Sequence, residues 1–350
     1  MPCTQDLAKL STIKFSLLLD GEPTETRKLI AAAEEVGFFY LDLTDQGSSN
    51  MLYNLEVLTS IMKIWFARPE REKLNAPTTT KAHGYKPVGA HAGVGGKSDG
   101  WEALKIGRQE LKGRWALADV VKEHVDRYDQ FVAQCHFALT IILNRLSSGL
   151  DLQGDHSLQK HHRDDTPSKS SVFFLHYPPR DDAGAHMGQN MHTDMGTLTL
   201  LFAMQWGLQV LCRSDKSHKS PAAAEGEKLE WKFVQPKPGH AVINVGDTLR
   251  FLTGRRLQSA LHRALPIQAE DRYAVTYFLR PSDDAEFLDS DGAKSTAMDW
   301  YLKKNETYED SHDHQMSGSV LLGGLEEQAE IIKDRLEGCS GDPLLMVGRS

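Results

Sequence analysis

Between residues 170 and 281 the sequence is a succession of short strand candidates separated by turn residues. The candidates are rich in aliphatic, β-branched and aromatic residues, and Gly or Pro stands between most of them. Many short strands with such turns and no intervening helix are typical of an antiparallel sandwich or jelly roll. The candidates are Val172–Tyr177, Thr197–Phe202, Leu208–Leu211, Trp231–Val234, Ala241–Val245, Leu249–Leu252 and Tyr273–Leu279.

The segments on either side of this strand-rich region show helical periodicity. The helix candidates are Pro23–Val36, Met51–Ala67, Trp115–Gly149, Ala297–Asp310 and Leu325–Leu336, and the third is expected to be a core helix with at most one break. Two further strand candidates, Ile13–Leu19 and Phe38–Leu43, lie near the start. The expected fold class is mixed α+β, with a mostly helical region 1–169, a β core 170–285 and a helical cover 286–350. The polar segment Arg213–Lys228 is expected to be an inserted loop.

Composition and charge exclude several classes of function. The net charge of −8 and the pI near 6.0 leave no basic surface for nucleic acid or an anionic membrane. No apolar run approaches the roughly 20 residues that a membrane-spanning helix needs, and the first residues do not resemble a secretory signal. Four cysteines without a CxxC pair fit a reducing compartment. We therefore expect a cytoplasmic protein that acts on a small molecule, with its oligomeric state left open.

Two of the three His-x-Asp sequences are poor candidates for metal ligands. His124 and Asp126 fall in the predicted long helix, where positions i and i+2 point about 200° apart and cannot chelate one ion. His162 and Asp164 lie in a polar stretch without strand character, which is interpreted as solvated surface.

The third His-x-Asp sequence, His192 and Asp194, immediately precedes the strand candidate Thr197–Phe202. In extended backbone, residues i and i+2 project from the same face, so an imidazole and a carboxylate there can converge on one ion. A third ligand from another strand would complete the site. His218, His312 and His314 lie in polar segments and are set aside. His240 and His262 both remain open as the third ligand, and spacing alone slightly favours His262.

Two histidines and one carboxylate on one face of an octahedron leave three positions open, an arrangement that suits non-haem Fe(II) oxygen chemistry. The alternative interpretation is three hydrogen-bonded polar residues of an ordinary β protein.

Three segments resemble the Fe(II)/2-oxoglutarate-dependent dioxygenase superfamily, in particular its isopenicillin N synthase-like branch common in fungal secondary metabolism. They are HTDMGTLTLLFAMQWGLQVL (192–211), NVGDTLRFLTGRRLQSALHRALP (244–266) and DRYAVTYFLRPSDD (271–284). The segments GFFYLDL and DGWEALKIGRQEL are similar to the helical N-terminal region of that family. The resemblance covers roughly residues 10 to 285.

The resemblance implies a double-stranded β-helix in which His192, Asp194 and His262 hold Fe(II), so that His240 is not a ligand. It also assigns Arg272 to the distal carboxylate of 2-oxoglutarate, because a guanidinium offers two parallel donors to a carboxylate. Tyr177 matches a tyrosine that bonds the same carboxylate in some relatives and faces the substrate in the synthase itself. A core aromatic is the alternative role for this residue.

One position departs from the family pattern. The usual Arg-x-Ser is here Arg272-Tyr273-Ala274, so a hydroxyl that helps to hold the co-substrate is missing. Thr276 lies on the same strand face and is a candidate to replace it.

The implied reaction uses 2-oxoglutarate and O2 to oxidise an unactivated C–H bond of a small organic molecule by hydroxylation, desaturation or ring closure. Further pocket candidates, each with plain core as the alternative, are Leu175, Gln189, Met195, Leu201 and Phe278. The segment 81–100 with Tyr85 and the segment around Trp300 are expected to cover the site. Two other functions remain open, namely a 2-oxoglutarate-independent oxidase or cyclase, which Ala274 favours, and a non-catalytic β-barrel binding protein.

Overall fold

The computed structural model describes residues 7–78, 83–91, 98–163, 165–179, 189–213, 229–265, 270–309, 315 and 320–325. Its strands are β1 (Thr12–Lys14), β2 (Phe38–Asp42), β3 (Gly84–Lys86), β4 (Glu102–Gly107), β5 (Ser171–Tyr177), β6 (Gln189–His192), β7 (Leu198–Ala203), β8 (Leu208–Arg213), β9 (Leu229–Phe233), β10 (His240–Val245), β11 (His262–Ala264), β12 (Arg272–Leu279), β13 (Glu286–Leu288) and β14 (Lys294–Thr296). Its α-helices are α1 (Phe15–Leu19), α2 (Pro23–Glu35), α3 (Ser49–Phe66), α4 (Glu70–Lys73), α5 (Arg108–Gly113), α6 (Asp119–Glu123), α7 (Val125–Gly149), α8 (Asp247–Leu252) and α9 (Ala297–Glu309).

Within the described residues the strands form a large sheet, a small sheet and a two-stranded hairpin. The large sheet has eight strands in the order β1-β2-β10-β7-β12-β5-β4-β3, and the small sheet has four in the order β6-β11-β8-β9. Along the chain from β5 to β12 the strands are shared between these two sheets, which leaves the cavity described below between them. The expectation of a mixed α+β protein rich in sheet is confirmed.

The main hydrophobic core lies between the large sheet and the helices of the first 169 residues. One face of α7 is buried because its apolar residues recur at helical spacing, as Tyr128, Phe131, Val132, Cys135 and Leu139 do. These side chains belong to one cluster with residues of α2, α3, β7 and β12. The helices therefore support the outer face of the sheet, whose other face is turned to the cavity.

The long periodic stretch before residue 150 is broken once, as predicted, at His124 between α6 and α7. His124 therefore caps a helix instead of lying inside one. His162 is also not on a solvated surface, because its Nδ1–H donates to the Leu158 carbonyl and its Nε2 accepts from Thr197 Oγ1.

Two of the predicted elements are wrong in type, and one segment matched to a helical region contains a strand. Leu249–Leu252 belongs to the short helix α8, since a four-residue apolar run does not distinguish strand from helix. Only the first part of Ile13–Leu19 is strand, and the rest is α1. The segment DGWEALKIGRQEL is not wholly helical, because Glu102–Gly107 is strand β4, paired with β5.

Some expectations concern residues outside the described ones, including Arg213–Lys228 beyond its first residue, Leu325–Leu336 beyond Leu325, and parts of 81–100. No helix among the described residues has both the length and the apolar character required to cross a bilayer.

Candidate metal centre and its cavity

The small sheet brings His192 and His262 together. His192 is the last residue of β6 and His262 the first of β11, and antiparallel pairing places them directly opposite each other. Asp194 follows two residues after β6 ends. One ligand atom of each of the three residues lies within 4.8 Å of the other two. Asp194 lies in the connection to β7, so the expectation that one strand carries both ligands holds only for His192.

Hydrogen bonds orient the three side chains toward a common point. The Nδ1–H of His192 donates to the Asn190 carbonyl at 2.8 Å, and that of His262 is directed at the Ala260 carbonyl at 3.3 Å. Each ring therefore turns Nε2 inward, and each Nε2 lies 3.7 Å from Asp194 Oδ1. Such contacts fix the tautomer and direction of metal-binding histidines.

The second oxygen of Asp194 is held by the sheet. Its Oδ2 accepts from Thr199 Oγ1 of β7 at 2.5 Å and from Asn244 Nδ2 of β10 at 2.8 Å. Oδ1 is consequently the oxygen left to face both imidazoles. One carboxylate thus joins the large sheet to the cluster.

Burial and mutual proximity set the protonation states of the cluster. Burial, together with the neighbouring His262, lowers the pKa of His192 to about 3, so its Nε2 lone pair is available. Burial alone would raise the pKa of Asp194, but the two imidazoles and the hydrogen-bond donors outweigh it and lower the pKa to about 2. A neutral imidazole beside a carboxylate is the donor set that a divalent cation requires.

The loop between the first two candidate ligands is fixed from behind by α9. Lys304, which is fully buried, donates to Thr193 Oγ1 at 2.7 Å and forms an ion pair with Asp247. The Asp247 backbone N–H donates to the Asp194 carbonyl at 2.7 Å. The C-terminal helix is thereby tied to the backbone of the metal-binding loop.

His240 takes no part in this cluster. Its Nδ1–H donates to the Pro238 carbonyl, and its Nε2 lies 3.8 Å from Asp42 of β2, at the opposite end of β10 from Asn244. Of the two histidines left open by spacing, only His262 lies beside His192.

A cavity of about 160 Å³ opens from the His–Asp–His cluster between the two sheets. Strand parity is confirmed for β12, because Arg272, Ala274, Thr276 and Phe278 all line it. Four of the other residues predicted for this pocket line it too, namely Tyr177, Leu175, Met195 and Leu201. Gln189 lies in β6, but its side chain is outside the described ones.

Arg272 lies at one end of the cavity with part of its hydrogen-bonding capacity unused. Its Nε–H donates to the Trp206 carbonyl at 3.1 Å, and its guanidinium packs 4.4 Å from the centre of the Tyr177 ring. Its buried Nη1 has no hydrogen-bond partner among the described residues. An unsatisfied buried guanidinium nitrogen is costly, and a carboxylate in the cavity would satisfy it.

Glycine is required beside this arginine. Gly207 has φ +132°, and a Cβ there would lie 2.5 Å from the Leu265 carbonyl oxygen and 3.1 Å from Arg272 Nε. The β7–β8 turn can approach the guanidinium only without a side chain.

Several cavity residues were missed by the sequence analysis. Trp101, which directly precedes β4, and Lys105 of β4 line the cavity. Residues an even number of positions apart on a strand share a face, but this signal was not used because the segment was matched to a helical region of the family. Arg280 lines the cavity as well. It directly follows β12 and lies eight positions after Arg272, an even number, so alternation along the strand places both arginines on the same face. A further missed group comes from α9 and consists of Tyr301, Asn305 and Tyr308.

The expected cover is only partly correct. The helix that contains Trp300 does close one side of the cavity, but Trp300 itself is buried in a separate cluster against Phe251, with their ring centres 5.2 Å apart. Tyr85 lies in β3 and donates its hydroxyl proton to Glu102, away from the cavity. Among the described residues of segment 81–100, His91 and Asp99 line it.

The cluster of two histidines and one carboxylate lies between two sheets, and its open side faces a mostly apolar cavity. This arrangement is typical of the non-haem iron oxygenases. The family model of the 2OG-Fe(II) oxygenase superfamily matches residues 168–281, and that of the non-haem dioxygenase in morphine synthesis N-terminal region matches residues 10–126. The chain belongs to the 2OG-Fe(II) oxygenase superfamily, whose members are oxidoreductases that use Fe(II), 2-oxoglutarate and O2. The resemblance noted in the sequence is therefore confirmed.

Fungal relatives match over nearly the whole chain. A 2-oxoglutarate-dependent dioxygenase of Gibberella zeae is 47% identical over 92% of this chain and 95% of its own. The 2-oxoglutarate-dependent dioxygenase gloE of Glarea lozoyensis is 36% identical over 94% of this chain and 97% of its own. At this level of identity and coverage, the superfamily assignment extends beyond the two matched regions.

Solved structures show the same fold. A full-length Neurospora crassa protein in complex with alpha-KG and thymine has a TM-score of 0.65 at 21% identity, over 87% of this chain and 98% of its own. A rice dioxygenase for auxin oxidation has a TM-score of 0.64 at 20% identity, over 87% of this chain and 97% of its own.

Proposed function

We propose that His192, Asp194 and His262 are the Fe(II) ligands of this dioxygenase and that Arg272 binds 2-oxoglutarate. The supporting observation is one cavity that holds both an inward-facing His–Asp–His cluster and a buried guanidinium with an unsatisfied Nη1. The bound iron supplies O2 activation coupled to oxidative decarboxylation of 2-oxoglutarate.

The residues of this chain would orient the reactants and exclude water. Tyr177 holds the Arg272 guanidinium in place by packing against it, and Ala274 and Thr276 extend the same wall toward the cluster. Thr276 is the candidate for the hydroxyl that Ala274 lacks, although it lies one cross-strand pair further along β12. Apolar side chains near the cluster keep the space for the reacting carbon dry.

For the architecture, we propose that β5 to β12 form a double-stranded β-helix. The supporting observation is the alternation of strands between sheets, because β5, β7, β10 and β12 lie in the large sheet and β6, β8, β9 and β11 in the small one. The catalytic region then corresponds to residues 170–285, between the N-terminal region 1–169 and the cover 286–350. The family match over 168–281 supports this division.

The proposed reaction is oxidation of an unactivated C–H bond in a small organic molecule of secondary metabolism, in the cytoplasm. Leu175, Met195, Leu201 and Phe278 are its proposed pocket residues, and Gln189 remains a candidate from its position in β6. Ala274 is the one observation that favours a 2-oxoglutarate-independent oxidase, whereas the fungal relatives named as 2-oxoglutarate-dependent dioxygenases weigh against it.

Anaerobic titration tests the proposal. Fe(II) followed by 2-oxoglutarate should produce a weak visible charge-transfer band in the wild-type protein, and succinate should accumulate during turnover. His192→Ala, Asp194→Ala and His262→Ala should each lose most iron binding and all oxidation. His240→Ala is the matched control and should retain both, because His240 pairs with Asp42 at the end of β10 opposite to Asn244 and does not contact the cluster. Full activity of His262→Ala would contradict the ligand assignment.

A further inference from the structure

A second arginine, Arg280, faces the cavity at the opposite end of β12 from Arg272. It directly follows the last residue of the strand, and the eight positions between the two arginines correspond to roughly 26 Å of extended backbone. Phe278, two positions before Arg280, pairs with Thr199, which bonds the Asp194 carboxylate. The metal cluster is therefore adjacent to the Arg280 end of the strand.

The positive charge of Arg280 is buried and has no ion-pair partner in the described part of the chain. Its side chain is 7% exposed, and its Nη1 donates only to neutral acceptors, the Lys169 carbonyl and Ser171 Oγ. Its Nε has no hydrogen-bond partner among the described residues. Asp194 acts on it electrostatically, but that carboxylate is committed to the metal cluster. An unpaired buried charge is unfavourable unless a ligand neutralises it.

One face of α9 places hydrogen-bonding groups beside this arginine. Tyr301, Asn305 and Tyr308 follow the i, i+4, i+7 spacing, and all three line the cavity with Arg280. The Tyr301 ring lies 5.3 Å from the guanidinium carbon, and the Tyr308 ring lies 5.6 Å from the His192 ring. A phenol hydroxyl is an O–H donor at neutral pH, so both tyrosines can donate to an anion. The group therefore presents donors to an anion beside the metal cluster.

The charges in the cavity indicate what this group binds. Iron and 2-oxoglutarate carry opposite charges of equal size, and Arg272 offsets Asp194, so these groups leave the charge of Arg280 unbalanced. Lys105, the other cation of the lining, has its Nζ against the Trp101 and Phe173 rings. Another cavity carboxylate, Asp99, already forms an ion pair with Lys86 at 2.7 Å. Between the two arginines the lining contains the hydroxyl of Thr276 and a set of apolar or aromatic side chains, namely Ala274, Phe278, Phe173, Leu175 and Leu201.

We propose that Arg280, assisted by Tyr301 and Tyr308, binds the carboxylate of the substrate, and that the substrate is therefore an organic acid with an apolar body. The inference rests on the proposed function, because it requires the co-substrate to occupy the Arg272 end of the cavity. A planar carboxylate matches the Nε–Nη2 edge of Arg280, to which no described residue is hydrogen-bonded. The acid would then be held at its carboxylate while its apolar body projects toward the iron.

The test compares aromatic acids with their amides on the protein loaded with Fe(II) and 2-oxoglutarate without oxygen. Benzoic, phenylacetic and cinnamic acids and the three corresponding amides are titrated by calorimetry. For the wild-type protein, at least one acid should bind about tenfold or more tightly than its amide, as expected for a charge-assisted pair of hydrogen bonds. Arg280→Gln should remove this discrimination, and Arg280→Lys should restore part of it.

Two controls distinguish failure of this inference from failure of the proposed function and from a general loss of folded protein. The 2-oxoglutarate affinity, measured by the charge-transfer band, should stay within about twofold of wild type in Arg280→Gln. Arg256→Gln, which changes an exposed arginine paired with Glu34, should behave as wild type in every assay. If wild type gives no band with Fe(II) and 2-oxoglutarate, the proposed function fails. If the band forms but acids and amides bind equally, this inference fails.

Other results are equally decisive. Discrimination that survives in Arg280→Gln overturns the proposal, and a tenfold loss of 2-oxoglutarate affinity would assign Arg280 to the co-substrate. Should Arg280→Gln not fold, Tyr301→Phe and Tyr308→Phe keep each ring and remove only a hydroxyl. At least one of them should weaken acid binding several-fold without affecting amide binding. Unchanged acid binding in both would contradict the proposal.

Discussion

At the scale of single residues, the two oxygens of Asp194 have separate roles. Oδ2 is fixed by Thr199 and Asn244, and Oδ1 is thereby left to face the two imidazoles. The His-x-Asp sequence predicts the residue but not this division, because Thr199 and Asn244 reach it from two other strands. The position of His262 was likewise open on spacing alone, since only cross-strand register places it opposite His192.

Arg272→Leu tests the co-substrate end of the cavity. The variant leaves a dicarboxylate without a counter-charge, and burial of an unpaired carboxylate is costly. The Michaelis constant for 2-oxoglutarate should rise at least about tenfold, whereas iron binding, which uses residues on other strands, should be retained. Steady-state succinate formation and anaerobic iron titration measure the two effects. An unchanged Michaelis constant would mean that 2-oxoglutarate does not bind at Arg272.

Ala274→Ser tests the departure from the family pattern. Ala274 lines the cavity two positions from Arg272, so a serine there adds one donor on the face that the co-substrate contacts. A charge-assisted hydrogen bond of roughly 1–3 kcal/mol should tighten 2-oxoglutarate binding several-fold in an anaerobic titration of the charge-transfer band. An unchanged dissociation constant would show that Thr276 or water already supplies the bond.

At the scale of elements, short strands were the hardest to predict. β6 has four residues and β11 three, too few for a period-two pattern, yet these two strands carry the histidines. The longer strands β5, β7, β10 and β12 were predicted because their apolar runs are bounded by turn residues. The face that α9 turns to the cavity depends on tertiary packing, which explains why Tyr301 and Tyr308 were missed.

Lys304→Met tests the link between α9 and the metal-binding loop. The variant leaves Asp247 buried without its cation, and breaking a buried pair on one side costs about 3–5 kcal/mol. The free energy of unfolding in urea should fall by that order, and iron affinity should fall with it because Thr193 loses its donor. Lys303→Met, the exposed neighbour 3.7 Å from Asp291, should cost about 0–1 kcal/mol. Equal stability of the two variants would contradict the role given to Lys304.

At the scale of the whole molecule, the large sheet crosses the boundary drawn between residues 169 and 170. β2 pairs with β10 and β4 pairs with β5, so the N-terminal region supplies strands as well as helices to the β core. The sequence predicted β2, but β4 was hidden because its segment was matched to a helical region. The three-part division remains a prediction about regions of the chain.

The pH dependence of stability also belongs to the whole molecule. Burial, with a smaller contribution from the neighbouring His161 and His136, lowers the pKa of His162 to about 4, below its ordinary value of 6.5. The folded protein therefore disfavours the protonated form, and stability is lost as pH falls from about 6.5 toward 4. The loss from this one group is about 2–3 kcal/mol.

Urea unfolding of the metal-free protein between pH 7 and pH 4 measures this loss. His162→Gln should be less stable at pH 7 and show a shallower decline over this range. A variant with the same slope as wild type would assign the decline to other groups.

The packing of α9 has a consequence for protein engineering. Tyr301, Asn305 and Tyr308 point into the cavity, whereas Trp300 and Lys304 anchor the same helix to the aromatic cluster and to Asp247. A combinatorial library at Tyr301 and Asn305 can therefore alter which compounds the enzyme accepts, whereas position 308 also packs against His192. A helix from a relative that replaces α9 needs a lysine at position 304. Without it Asp247 stays buried without its cation, and the chimaeric protein loses stability.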